Sequence, residues 1–383
     1  MNRLLCIGQV VYVACLAACG FPRPADLADD GGVIDAPALV DADAPVSSDA
    51  SVPADASPGC FGQLINICLS AVPVQPLNIQ DVTTIDTDTS SMCSADTNRS
   101  EYCVLAATDI TVGAALRATG TRPLILLASG TLRSRASGVI DVGSHRVRPQ
   151  GSPEIGAGAD PAACAVGTLP GNSGGGAGGS FVGSGGAGGF NNGLDGSAPG
   201  LPSAPVTFIT DVRGGCAGQD GSGHAAKGHG GGAVFLIANV SIIVDGLINA
   251  AGEGGAESAA GGGGGGGAGG MIGLDAPTVT VTSLLLASGG GGGGGGGALG
   301  GAPGPGADPT TVGAAAGGVG TGEGGIGGNG SEPQSAGSGA MGQPGFSSDL
   351  DSNGGGGGGG GAGIIKAPAA ATFAVATSPP AVR

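Results

Sequence analysis

The stretch GAVFLIANVSIIVDGLINAAG, residues 232–252, decides the fold. It divides into three short apolar segments, Val234–Ala238, Ser241–Val244 and Gly246–Ala250, separated by small or polar corners, so that one pass of chain wraps once around a core. The pattern recurs at Tyr102–Gly120, Pro123–Gly143 and Met271–Gly289, and in decayed form at Ile364–Ser378. Each copy opens on an apolar pair and carries a small residue at its first corner. Units that cannot bury their own apolar face must stack. The expected fold is therefore all-β, a single-stranded parallel β-helix.

Spacing locates what has been added to the repeat. Val104 and Leu124 are 20 residues apart, close to one three-sided turn, whereas Val234, Ile272 and Ile364 follow at 110, 38 and 92 residues. The extra length is glycine-rich and begins each time after the third strand, at Gly143, Gly252 and Gly289. One corner is thus expected to carry long insertions, at about 145–231, 252–269 and 289–362. These have two physical readings. They are flexible loops, since glycine is entropically costly to order, or they pack side by side as polyproline-II-like strands, which glycine alone permits at close approach. The runs Gly261–Gly267, Gly289–Gly297 and Gly354–Gly361 lack a strict three-residue period, which excludes collagen.

Composition narrows the function classes. The 383 residues include 88 Gly, 8 Phe, 2 Tyr and no Trp, so the core is narrow and aliphatic. With 29 acidic against 13 basic residues the chain carries a charge of −16, which argues against nucleic acid as a partner.

The N-terminus points to export. A basic start at Arg3, an apolar run over Leu4–Ala18 and the sequence Leu16-Ala17-Ala18-Cys19 read as a signal peptide, residues 1–18, ending at a lipobox. By resemblance to bacterial lipoproteins, Cys19 becomes the diacylated N-terminus, and Gly20 in place of Asp favours the outer membrane. Residues 19–59 then form an Asp-, Ala- and Pro-rich disordered tether, and 60–99 a segment capping the β-helix of residues 100–383. Six cysteines remain in the mature domain, an even number that suits an oxidising compartment. The short-range pairing joins Cys60 with Cys68, Cys93 with Cys103, and Cys164 with Cys216, although sequence alone leaves other connectivities open.

Motifs that carry chemistry are sparse. Gly171-Asn172-Ser173-Gly174-Gly175 fits GxSxG, but in glycine-rich sequence without a strand-to-helix elbow. His145, His224 and His229 are the only histidines, and the expanded corner could bring His145 and His229 near Lys227. Gly156–Pro161 and Gly304–Pro309 repeat a GxGADP pattern, read as a duplicated turn. Asp349, Asp351 and Asn353 open a DxDxNG calcium-loop pattern, yet Gly360 stands where an EF-hand needs Glu, which leaves a non-EF calcium turn or a plain Asx turn.

Residues 60–383 resemble glycine-rich surface lipoproteins of Gram-negative bacteria with β-helical repeats. The resemblance rests on the lipobox, the tether, the paired cysteines, AVFLIANVSIIVDGLINAAGEGG and MIGLDAPTVTVT. It implies surface exposure and brings no assigned activity. The expectation is a cell-surface lipoprotein with a structural, adhesive or polysaccharide-binding role, anchored to the membrane by lipid and non-catalytic. The alternative is a β-helical polysaccharide lyase or hydrolase, favoured if Asp141, Asp245 and Asp275 share one stacked face. Ice or surface patterning needs a regular Thr array, which Thr278, Thr280 and Thr282 supply in one coil only.

Overall fold

The computed structural model describes residues 59–94, 97–146, 154–191, 197–297, 302–332, 337–345 and 353–382. The signal segment, Cys19 and the tether before Gly59 lie outside the described residues, as do Asp349 and Asp351. Every regular element among the described residues is a strand.

A disulfide-closed hairpin of β1 (Cys60–Phe61) and β2 (Ile67–Cys68) comes first. β3 (Leu77–Ile79) and β4 (Thr83–Asp86) form two sides of an incomplete coil. Three full coils follow: β5 (Cys103–Ala107), β6 (Ile110–Val112) and β7 (Ala115–Thr119); β8 (Leu124–Ala128), β9 (Thr131–Ser134) and β10 (Val139–Asp141); β11 (Ala233–Ala238), β12 (Ser241–Val244) and β13 (Leu247–Asn249). The fourth holds β14 (Met271–Asp275), β15 (Thr278–Val281) and β16 (Leu285–Leu286), and the last β17 (Ile364–Lys366) and β18 (Thr372–Phe373).

Strands three apart in sequence pair in parallel, giving three sheets in the orders β17-β14-β11-β8-β5, β18-β15-β12-β9-β6-β3 and β16-β13-β10-β7-β4. This is a parallel β-helix. Register is set by the inward side chains, since a one-residue slip would turn every apolar residue outward. Leu105, Leu126, Leu236 and Leu274 stack through the first sheet, each almost wholly buried. Burying a leucine of this kind contributes about 1.5–3 kcal/mol.

The first sheet is apolar on both faces, which is why LILLA and AVFLIA do not alternate. Its outer face carries Val104, Ile125, Phe235 and Ile237, covered by Phe61 and Ile67 of the hairpin and by Phe181 and Val212. Gly273 is required here, because a Cβ would overlap the ring of Phe235. Residues 60–99, expected as one cap, therefore divide. The hairpin lies on the flank, anchored where Asp275 Oδ2 accepts the N–H groups of Gln63 and Leu64 at 2.7 Å each, while β3 and β4 join the solenoid itself. Cys93–Cys103 ties the intervening chain to β5.

The glycine-rich insertions are not loose loops. They run as extended segments whose hydrogen bonds repeat every three residues, the period of a polyproline-II helix. Gly263, Gly264 and Gly265 donate to Gly355, Ala256 and Gln219, and their carbonyls accept from Gly176, Gly293 and Gly228. Three consecutive residues thus reach six different segments. Segments 261–270, 289–297 and 354–363 bond to one another as a central triangle. Around them lie 252–258, 304–307, 315–321, 324–331, 337–343, 183–189, 173–179, 214–221 and 225–231, each bonded to the next in that order and the last to the first. A triangle in hexagonal packing has nine neighbours, and all nine are accounted for.

This packing explains the composition. A Cβ on any residue from Gly262 to Gly267 would lie under 3.0 Å from a carbonyl oxygen of a neighbouring segment. The central runs have no outward face, hence no period. Rim segments do have one: Ser184, Ala187 and Phe190 sit outward between glycine pairs, as do Ile326 and Asn329. Cys164–Cys216 pins the first insertion, so all three short-range disulfides form.

Candidate functional site

The strongest polar constellation lies where the third sheet hands the chain to the glycine bundle. Pairing of β7, β10 and β13 places Arg117, Asp141 and Asn249 in one cross-coil ladder. Asp141 lies 2.7 Å from Arg117 Nη1, accepts from Asn249 Nδ2 at 2.9 Å and meets His145 Nε2 at 3.0 Å. His145 is held by a two-way backbone bridge to Glu154, whose carboxylate reaches Arg117 Nε at 3.2 Å.

Both copies of GxGADP end in this region, and their aspartates do equivalent work. Asp160 accepts the N–H of Gly230 at 2.9 Å and approaches His229 Nδ1 at 2.6 Å. Asp308 accepts the N–H groups of Gly254 and Arg146, at 2.8 and 3.0 Å, and lies 4.0 Å from His145 Nδ1. Each carboxylate thus fastens a rim segment and faces a histidine. Glu253 joins the two halves: its carboxylate accepts the His229 N–H at 3.2 Å and lies 3.9 Å from Arg146.

The electrostatics follow from this arrangement. The hydrogen bond to Asp141 raises the His145 pKa against the opposing effect of burial. His229 is raised in the same way by Asp160. Burial pushes the Asp141 carboxyl up, but His145 and Arg117 outweigh it and hold the group below the ordinary range. Glu253, only 1% exposed, is raised by burial despite its bonds to His229 and the charge of Arg146.

His229 and Asp160 open onto a cleft of about 350 Å³, also lined by Asp220, Lys227, Ser203 and the apolar side chains of Val166 and Leu169. The corner therefore brings His229 and Lys227 together, as the sequence suggests, but His145 belongs to the neighbouring Asp141 cluster. Such a site can accept and donate hydrogen bonds and exchange protons through the histidines. Among the described residues no group of three His, Cys, Asp or Glu is arranged to hold a metal ion.

Asp141, Asp245 and Asp275 do not share a face. Asp141 ends a strand of the third sheet; Asp245 follows β12 and pairs with Arg133 at 2.7 Å; Asp275 ends β14 and anchors the hairpin. Ser173 sits at φ +57° where its carbonyl accepts from Gly355, within the bundle and without the elbow a serine nucleophile requires. Asn353 is buried and donates to Glu323 at 2.7 Å. Sequence reasoning passes over Arg117, Arg146 and Glu253, whose partners are set by cross-coil register; the doubled GxGADP is the one signal that marks Asp160 and Asp308. No protein-family model, curated protein or solved structure matches the chain.

Proposed function

We propose that the chain is a lipid-anchored cell-surface protein whose solenoid and glycine bundle form a rigid, non-catalytic structural and polymer-binding module. The observation that carries this reading is the bundle itself. Its hydrogen bonds turn the insertions into an ordered block with a broad rim, suited to presenting surface rather than to closing over a substrate. Three disulfides support an oxidising, extracytoplasmic setting. The lipobox at Cys19 supplies the anchor, and the outer membrane is the favoured address.

Two measurements test the reading. Cys19→Ala should move the protein from the membrane to the soluble fraction and abolish incorporation of labelled fatty acid. Light scattering of bacterial and plant polysaccharides with the full chain, with calcium present, should show unchanged polymer length and a gain in mass from bound protein. Shortened polymers would instead establish the lyase or hydrolase alternative and direct attention to the corner carboxylates.

A further inference from the structure

We infer that the cleft beside Asp160 is a subsite for a carboxylated sugar, its carboxylate held by Lys227 and His229 and its hydroxyls by Asp220 and Ser203. The inference rests on the polymer-binding reading and narrows it to one site and one ligand chemistry.

The argument begins with Lys227. The chain has two lysines and a charge of −16, so an ammonium group without a carboxylate partner is unexpected. Lys366 donates to the Ile209 carbonyl. Lys227 Nζ makes no hydrogen bond and no salt bridge among the described residues, although its backbone N–H is fixed by Asp220 Oδ1 at 3.0 Å. The charge of Lys227 is felt at His229, whose pKa it opposes. Asp160 occupies Nδ1 of that ring, so Nε2, without a partner among the described residues, is a second donor when the ring is protonated, the state that the bond to Asp160 favours. Two donors lining one cleft, one of them a permanent cation, match a carboxylate.

The rest of the wall argues for a sugar rather than a bare anion. Asp220 engages only one oxygen with Lys227, and Ser203 supplies a hydroxyl; both can pair with sugar hydroxyls. The same cleft is lined by Val166 and Leu169, 79% and 66% exposed, apolar side chains fit for the C–H face of a pyranose ring. Few polar groups converging on an apolar-walled concavity is the usual form of a small-ligand site.

Calorimetry of the full chain with trigalacturonate, galactotriose and sodium acetate provides the test. Trigalacturonate should bind at least tenfold more tightly than galactotriose or acetate. Lys227→Met should weaken it about tenfold or more, the loss expected for a charge-assisted hydrogen bond, while Lys227→Arg retains most of the affinity. Neither substitution should move the melting temperature. Equal binding of galactotriose would overturn the carboxylate, equal binding of acetate the sugar, and wild-type affinity in Lys227→Met the site. If polysaccharides still bind to Lys227→Met as to wild type, the polymer-binding reading survives and this inference fails alone.

Discussion

Gly264→Ala separates a packed bundle from glycine-rich loops by the sign of its effect. A polyproline-II backbone at φ near −75° accepts alanine without strain, so in a loop the substitution stabilises by about 0.4–1 kcal/mol through the unfolded chain. In the bundle the new Cβ would lie under 3.0 Å from the Ala226 carbonyl. Restoring ordinary contact requires a shift of roughly 1 Å. Segment 225–231 cannot yield freely, because Gly228 and Gly231 donate to Gly265 and Ala268 while Ala226 accepts from Ala256. Overpacking costs about 1–3 kcal/mol, and weakening two of these hydrogen bonds adds about 1 kcal/mol each. The expected loss is about 3–5 kcal/mol, read as a lower urea midpoint at unchanged slope. Ala340→Gly, on the exposed rim, provides the control and should cost no more than about 1 kcal/mol. A Gly264→Ala protein as stable as wild type, or more so, would refute the packing argument.

Four other outcomes are expected. Replacing Cys164 and Cys216 with Ser should lower stability by about 4 kcal/mol on the loop-entropy model for a 52-residue separation, measured by urea unfolding. The raised pKa values of His145 and His229 give stability that is complete below about pH 6.5 and is lost as pH rises through the folded values, while Asp141 contributes above about pH 3.8 and loses its contribution on acidification; the wild-type minus His145→Gln/His229→Gln difference in urea midpoint should shrink from pH 5.5 to pH 8. Asp275→Ala strips two backbone N–H groups of their acceptor and should destabilise by about 2 kcal/mol or more, with faster amide exchange in the Cys60–Cys68 hairpin. An isolated peptide of residues 250–297 should show no cooperative melt, because its central segment bonds to chain on six sides and the peptide supplies only two of those neighbours.

The solenoid is legible because it obeys a local rule. Val234, Leu236 and Ala238 face inward from β11, and Leu124 and Ile272 repeat the same apolar opening one coil away on either side, with Cys103 rather than Val104 continuing the row in β5. The corner that expands is visible for the same reason, since Gly143, Gly252 and Gly289 each follow a third strand. What sequence leaves open is the state of the glycine. Gly261–Gly267 carries no side chain to show which way it faces, so a central helix and a loop look alike. The rim holds the missing clue: the GGxGGx spacing around Ser184, Ala187 and Phe190, and again around Ile326 and Asn329, is what one exposed face in three produces. At the candidate site, Asp160 and Asp308 announce themselves by repetition. Glu253 does not, because its burial depends on three segments distant in sequence.

The two halves of the domain are stabilised by different physics, and this accounts for their arrangement. The solenoid buries Leu, Ile and Val between its sheets and draws on the hydrophobic effect. The bundle buries mostly backbone, so it draws on hydrogen bonds of about 1 kcal/mol net and on Cα–H···O contacts of about 0.5–1 kcal/mol. Against these stands the ordering cost of glycine, the largest of any residue. The balance is close to even for an isolated segment. It becomes favourable when the ends are already placed, and the β-helix does this: 225–231, 261–270 and 354–363 lead directly into β11, β14 and β17, while 252–258 and 289–297 leave from β13 and β16. The expanded corner is thus the one place where a glycine bundle of this size can form. The carboxylates of Asp160, Asp308 and Glu253 stand at that junction, fastening the first hydrogen bonds of the array to the last strands of the coil.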